Sequence, residues 1–252
     1  MNFSAEMTVL LPAIAAGLLV LSTHVPLGRE VLARGIVFID LAIAQVAALG
    51  VIAADIAGLP AQGWATQLAA SGAALAGALF FAWTEKRLRQ RQEAFIGSVF
   101  VLAACLALLV LHGQPHGAER LHDILEGQIL WIDAAVLIPA AALYAVALAL
   151  WFGIRARLGA LGFYALFAVV VTVSVQIVGV YLVFASLIMP ALAASRAEKR
   201  LQLVLAWLAG GVSYVVGLLM SFRFDLPAAP MIVCMLAVAG FAVWKLAPSA
   251  RK

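Results

Sequence analysis

The chain has 252 residues, of which 66% are hydrophobic and only 11% are charged. Soluble domains contain about 45–50% apolar and about 25% charged residues, so the mean hydropathy of +1.11 excludes an ordinary soluble protein. The formal net charge is +4, but the basic residues stand in short groups between apolar runs, which excludes a nucleic-acid-binding face.

Nine apolar runs predict an all-α, polytopic bundle of about nine (8–9) membrane spans in a single transmembrane domain, residues 1–252. The runs are Met7–Thr23, Gly35–Ala57, Trp64–Trp83, Ala94–Leu111, Gln128–Trp151, Ala160–Gly179, Val180–Ala193, Leu201–Met220 and Ala228–Leu246. Most approach the roughly 20 residues that a spanning helix needs, and the alternating pattern of a barrel is absent. No basic residue precedes the first run, so we interpret it as a retained span rather than a signal peptide.

The basic residues predict the orientation of the chain. All Lys and Arg residues except Arg120 and Arg223 fall on one side when the N-terminus is placed outside and the C-terminus in the cytoplasm. This orientation requires an odd number of crossings.

One crossing must then be short or broken. Arg157 and Arg196 both lie on the cytoplasmic side, yet the residues between them are too few for two full helices, which need roughly 40. Gly179 and Pro190 mark the place, and discontinuous helices commonly line the pathway of a transporter. A re-entrant packing element without ligand contact is the alternative.

Several polar residues lie within these runs. Asp40 is about 9 Å from Arg34 along the predicted helix, a depth at which a carboxylate is expected to face a cavity or a partner. We expect Ser174 or Gln176 to be that partner, with backbone capping or pairing with Arg34 as the alternative. Ser174 and Gln176 precede the break and Ser186 follows it, so all three are candidates for substrate contact or for helix–helix hydrogen bonds.

The four histidines lie in two regions of the sequence. His112, His116, His122 and Asp123 belong to a predicted extracytoplasmic segment that is either a metal-collecting loop or a solvated loop. His24 stands beside Pro26 at the end of the first run, and we expect it at the membrane interface.

The sequence contains no nucleotide-binding G-x-x-x-x-G-K-[ST] motif and no H-E-x-x-H motif. The chain is therefore predicted not to be an enzyme and to hold no cofactor. Energy for transport must come from a partner or from an ion gradient.

Five stretches resemble, in order and spacing, the permease subunits of zinc- and manganese-type ABC importers. They read LARGIVFIDLAIAQVAALG (Leu32–Gly50), EAFIGSVF (Glu93–Phe100), LEGQIL (Leu125–Leu130), VTVSVQIVGVYLVFASLIMPALAASR (Val171–Arg196) and SFRFDLPAAPMIV (Ser221–Val233). The resemblance implies a homodimer in the bacterial cytoplasmic (inner) membrane, a cytoplasmic P-loop ATPase that binds ATP, and an extracytoplasmic metal-binding protein. It also implies an ATPase contact within Gly153–Gly159, at Arg155, Ala156, Arg157 and Gly159, although a plain basic loop remains the alternative.

The resemblance departs from the family at one position. The family typically has an Asp and a His four residues apart in the second span, whereas here the His position is Gln45 and the nearest acid is Asp40. An amide is a weaker zinc ligand than imidazole. The resemblance implies an importer of a divalent transition metal, zinc first and manganese second. The alternatives are a metal-chelate importer and a proton-coupled carrier.

Overall fold

The computed structural model describes residues 3–60, 63–88, 91–111, 127 and 129–246, which contain helices and no strand. The first four helices are α1 (Phe3–Arg34), α2 (Ile39–Ile56), α3 (Trp64–Leu88) and α4 (Gln92–Leu111). A 3-10 turn at Ile129–Trp131 precedes a helical stretch, Ala134–Ala193, which is broken at Ile154, Gly159 and Gly179. These breaks separate α5 (134–153), α6 (160–178) and α7 (180–193), after which come α8 (Lys199–Phe224) and α9 (Ala228–Leu246).

Eight helices among the described residues are long and apolar enough to cross a membrane. The sixth of them, Gly159–Ala193, contains both α6 and α7. Each of the nine predicted runs therefore corresponds to one helix. The prediction of an all-α polytopic bundle is confirmed.

The chain reverses direction at Gly179, between α6 and α7. Phe163, near the start of α6, lies under the Arg34 guanidinium, 4.5 Å from the ring centroid, and packs on Trp151 at 6.0 Å. Ala191, near the end of α7, lines a cavity together with the same Trp151. A straight helix would separate Phe163 from Ala191 by about 42 Å. The two helices therefore form a hairpin.

The predicted break is confirmed at Gly179, where the backbone (φ 77°, ψ 165°) occupies a region that glycine adopts readily. Pro190 does not break the chain, because α7 continues through it to Ala193. At the helical rise, α7 is about 21 Å long, shorter than the roughly 30 Å hydrocarbon core.

The first helix is longer than predicted. α1 continues through Pro26 to Arg34 instead of ending at Thr23. Membrane helices tolerate an internal proline where neighbouring groups satisfy the freed backbone carbonyl.

The second helix begins later than predicted, at Ile39 rather than at Gly35. Gly35 has a φ of 67° and ends α1. The N–H groups of Gly35 and Ile36 donate to the carbonyls of Leu32 (3.2 Å) and Val31 (3.3 Å), which is the Schellman pattern of helix termination.

The contacts between helix ends define two ends of the bundle. At the first, which we call the Arg34 end, Arg34 of α1 pairs with Glu85 of α3 at 3.1 Å. The ends of α5 and α7 and the start of α8 meet α1 there around a cavity of about 380 Å³. At the second, the Gly179 end, Gly127 lies against Gly179, and Gln67 of α3 meets Gln176 of α6.

The outer surface of the bundle is apolar. Large side chains such as Leu68, Leu109, Ile138 and Val238 are each more than 60% exposed. An apolar surface of this extent is stable in lipid and not in water. The chain is a multi-pass membrane protein.

Candidate ion pathway

His24 joins α1 to both arms of the α6–α7 hairpin. Its Nδ1 lies 2.7 Å from the Ser186 Oγ of α7, and its Nε2 lies 3.0 Å from the Ser174 Oγ of α6. The Tyr144 hydroxyl of α5 lies 2.6 Å from the same Ser174 Oγ. All four side chains are buried, and we refer to them as the His24 cluster.

A neutral imidazole satisfies every member of this cluster. Each imidazole nitrogen faces a serine hydroxyl, so the neutral ring donates to one serine and accepts from the other, while the Tyr144 hydroxyl bonds to Ser174. The serine that accepts from the ring donates its own proton to a backbone carbonyl, which is that of Val170 at 2.8 Å for Ser174 and that of Val183 at 3.1 Å for Ser186. The cluster is thus a single chain of hydrogen bonds from α5 through α6 and α1 to α7.

The hairpin is what brings Ser174 and Ser186 together. Along one continuous helix they would be about 18 Å apart, yet both contact the same imidazole ring. The close approach of α1 is made possible by Gly28, because a Cβ there would overlap the Leu187 carbonyl oxygen of α7. Two of the predicted pathway residues therefore share one partner.

The expectation for His24 is wrong. Its side chain is fully buried and does not lie at the end of a span. The reason is the extra length of α1, which places His24 well inside the helix. The partners of His24 could not be recognised in the sequence, because they lie at least 150 positions away.

Asp40 lies in the first turn of α2, with only 1% of its surface exposed. Its carboxylate has no side-chain partner within the described part of the chain, and the backbone N–H groups of Leu41 and of Asp40 itself face it, as in the backbone-capping alternative. The predicted partners lie elsewhere, since Ser174 belongs to the His24 cluster and Gln176 pairs with Gln67.

Arg34, the alternative partner of Asp40, also binds elsewhere. Its guanidinium contacts Glu30 at 2.9 Å and Glu85 at 3.1 Å. The expected spacing of about 9 Å along one helix is wrong, because α1 ends at Arg34 and α2 starts after a turn.

Gln45 is buried and lines a largely apolar groove of about 650 Å³ between α2, α4, α7 and α9. Tyr181 of α7 and Cys234 of α9 also line this groove. Ser186, on the same helix as Tyr181, contacts α1 instead. The groove and the His24 cluster therefore lie on different sides of α7.

Gln176 is exposed near the Gly179 end and pairs with Gln67 of α3. The Gln176 amide nitrogen donates to the Gln67 carbonyl oxygen at 2.6 Å, and the Gln67 amide donates back. This reciprocal pair links α3 to α6 and keeps Gln176 out of the His24 cluster.

The predicted ATPase contact lies between α5 and α6. Residues 155–158 form a short helical turn between the breaks at Ile154 and Gly159, where Gly159 has a φ of 59°. The Arg157 side chain is exposed. Arg155 and Ala156 belong to the same turn, so the four predicted contact residues are adjacent at the Arg34 end.

The predicted metal-collecting residues His112, His116, His122 and Asp123 lie outside the described residues. Within the described ranges, no group of three or more His, Cys, Asp or Glu side chains could hold a metal ion.

Sequence reasoning missed Glu93 as a candidate site residue. Its Oε1 accepts a hydrogen bond from the backbone N–H of Phe38 at 3.2 Å, which ties the first turn of α4 to the start of α2. Its Oε2 is buried, and the backbone N–H of Val37 also faces the carboxylate. The available signal was its position immediately before the apolar run Ala94–Leu111.

The family model described as the ABC 3 transport family matches residues 6–163 and 147–246. No curated protein matches the chain significantly. Two solved structures share its fold. PsaBC from Streptococcus pneumoniae in complex with Fab has 21% identity and a TM-score of 0.74, covering 95% of this chain and 92% of that one. A metal-chelate type ABC transporter in an inward-facing conformation has 17% identity and a TM-score of 0.67, covering 94% and 86%.

Proposed function

Because the chain belongs to the ABC 3 transport family, we propose that it is the membrane permease of an ATP-driven importer of divalent transition metal ions. Zinc is the first candidate cargo and manganese the second. The observation that carries the proposal is the family match, which extends over nearly the whole chain. The folded-back α6–α7 pair beside buried polar groups fits a transport pathway.

The Arg34 end is proposed to face the cytoplasm. Arg34 pairs with Glu85 at this end, and Arg196 follows Ser195, which lines the cavity there, whereas Arg223 lies in the last turn of α8 at the opposite end. Cytoplasmic segments carry the excess of basic residues, so the N-terminus lies outside and the C-terminus inside. The membrane is proposed to be the bacterial cytoplasmic membrane.

The partners follow from the family. The chain has no P-loop of its own, so a separate cytoplasmic ATPase supplies the energy and contacts the 155–158 turn. A second copy of the permease completes the pathway, and an extracytoplasmic binding protein delivers the cargo. Asp40, Gln45, Ser174, Gln176 and Ser186 are the residues proposed to act along this route.

A metal chelate is the second candidate cargo. One structure with the same fold is described as a metal-chelate type transporter, and Gln45 occupies the place where the family typically has a histidine. An amide suits hydrogen bonding to an organic chelator better than it suits binding bare zinc.

Reconstitution in proteoliposomes with the cognate ATPase tests the function. ATP hydrolysis and uptake are measured with zinc, manganese and chelated metal, each with its binding protein. We expect ATP-dependent uptake of one of these cargoes. Uptake without the ATPase that is abolished by a protonophore would identify a proton-coupled carrier and overturn the proposal.

A further inference from the structure

The cavity of about 380 Å³ at the Arg34 end lies between four helices. Arg29, Glu30 and Ala33 of α1 line one wall, and the ends of α5 and α7 and the start of α8 line the others. Its volume falls within the range of about 300–1,000 Å³ that is usual for small-ligand pockets. The residues proposed to act along the transport route are not among those that line it. The cavity is therefore a candidate site for a different ligand.

The charge that α1 presents to this cavity is positive. Arg29 contributes its guanidinium, whereas the carboxylate of Glu30 is paired with Arg34 at 2.9 Å. Arg29 precedes Arg34 by five residues, which is about 7–8 Å along the helix. Because Arg34 ends α1, this distance places the Arg29 charge at the depth of the lipid headgroups.

The start of α8 adds to the positive charge beside the cavity. Lys199 and Arg200 are exposed there and outnumber the one acid of the same segment, Glu198. Gln202 lines the cavity, and its amide nitrogen donates to the Ser195 carbonyl at 3.1 Å. The amide oxygen of Gln202 can therefore accept a hydrogen bond from a ligand hydroxyl.

The apolar part of the lining continues into the surface that faces lipid. Phe152 of α5 lines the cavity and is 59% exposed. Leu203 of α8 also lines it and precedes Val204, which is 49% exposed. A ligand with an anionic head and a hydrocarbon tail would contact both parts of the lining, whereas a free phosphate would contact only the polar part.

We propose that this cavity binds the headgroup of an anionic phospholipid, with Arg29 contacting the phosphate and the acyl chains lying against Phe152 and Leu203. Guanidinium groups form strong hydrogen bonds with phosphate, and basic pockets between membrane helices bind anionic headgroups. The inference goes beyond the proposed function and does not depend on the cargo.

Native mass spectrometry of the full-length permease, with and without its ATPase, tests the site. The protein in detergent is titrated with phosphatidylglycerol or with phosphatidylcholine of the same chain length. We expect at least tenfold tighter binding of phosphatidylglycerol, because the choline cation is disfavoured beside Lys199 and Arg200. Arg29→Gln should weaken the binding of phosphatidylglycerol about tenfold or more, since it removes a charged partner of the phosphate. Arg223→Gln, at an exposed position of the opposite end, should leave the affinity unchanged.

A second variant fills the cavity instead of removing its charge. Ala33 is exposed and lines the cavity, so Ala33→Trp places an indole ring there without altering a buried position. It should weaken the binding of phosphatidylglycerol as Arg29→Gln does. Ala53→Trp is the matched control, because Ala53 is an exposed residue of α2, which does not line the cavity.

Three results would overturn the proposal. The first is equal affinity for the two lipids, or wild-type affinity for phosphatidylglycerol in both Arg29→Gln and Ala33→Trp. The second is displacement of phosphatidylglycerol by an equal concentration of inorganic phosphate, which would identify a soluble phosphate compound as the ligand. The third is loss of the lipid when the ATPase binds, together with weaker copurification of the ATPase by Arg29→Gln, which would show that the ATPase fills the cavity.

Discussion

Gly127 lies against Gly179 with no room for a side chain between them. A Cβ on Gly127 would overlap the backbone nitrogen of Gly179 and lie 2.8 Å from its Cα. Gly127 also has a φ of 68°, which L-residues other than glycine rarely adopt. Gly127 therefore lies directly against the reversal between α6 and α7.

Gly127→Ala should consequently destabilise the folded permease by about 1–3 kcal/mol. The new Cβ would overlap the Gly179 backbone, and alanine rarely adopts the positive φ that Gly127 has. Cys105 and Cys234, which are exposed, are first replaced by Ser, and thermal unfolding in detergent is then followed by the reaction of one cysteine introduced at a buried position. Gly72→Ala is the matched control, since Gly72 is helical and has open space where its Cβ would stand. Equal unfolding temperatures for the two variants would contradict the contact.

The His24 cluster predicts energetic coupling between α1 and α7. His24→Ala and Ser186→Ala each remove one partner of the 2.7 Å hydrogen bond. A double-mutant cycle should give a coupling energy of about 1 kcal/mol, the usual contribution of a buried hydrogen bond. Unfolding of the four proteins under identical detergent conditions provides the measurement.

Ser213→Ala serves as the control for this cycle. Ser213 is equally buried, but its hydroxyl donates to the carbonyls of Ala209 (2.7 Å) and Met235 (3.1 Å) rather than to His24. Its effect should add to that of His24→Ala. Additivity in the Ser186 pair as well would show that the imidazole does not connect α1 with α7.

Part of this architecture could be predicted from local features. Too few residues separate Arg157 from Arg196 for two full spans, which required a broken one, and Gly179 was the residue able to break it. The roles of His24 and Glu93 could not be predicted, because their partners are distant in sequence. A hydrophobic pattern shows which segments are helices, but it contains no information about which helix lies opposite a given polar side chain.

The start of α2 was also misplaced for a physical reason. An apolar run continues from Gly35 into the helix, so hydrophobicity alone does not show where α1 ends. The positive φ of Gly35 and the two hydrogen bonds of the Schellman pattern determine it. As a result, Asp40 lies in the first turn of α2, whereas the predicted helix placed it in the second turn.

The orientation of α8 can be tested at its two ends. Cys105 and Cys234 are exposed and are first replaced by Ser. Asp225→Cys should then react with a membrane-impermeant maleimide in intact cells, whereas Lys199→Cys should react only after permeabilisation. Both positions are exposed, so accessibility within the fold does not distinguish them. Labelling of Lys199→Cys alone in intact cells would reverse the proposed orientation.

The 155–158 turn gives a prediction about assembly with the ATPase. The turn lies between two backbone breaks, Ile154 and Gly159, and presents Arg157 to solvent at the Arg34 end. Reversing its charge in Arg155→Glu/Arg157→Glu should reduce copurification of the ATPase several-fold and abolish cargo-stimulated ATP hydrolysis. The two new carboxylates would repel the acidic groups of the ATPase that the arginines attract.

Arg223→Glu is the matched control for this variant. It makes the same charge reversal on an exposed arginine at the opposite end of the bundle. It should leave copurification of the ATPase unchanged, and both variants should reach the membrane in wild-type amounts. A double variant that retains wild-type copurification and hydrolysis would move the ATPase contact to another basic segment of the Arg34 end, such as the one around Arg196 at the start of α8. The same charge reversal at Arg196 would then reduce copurification, because only a charged segment in the interface responds to a change of sign.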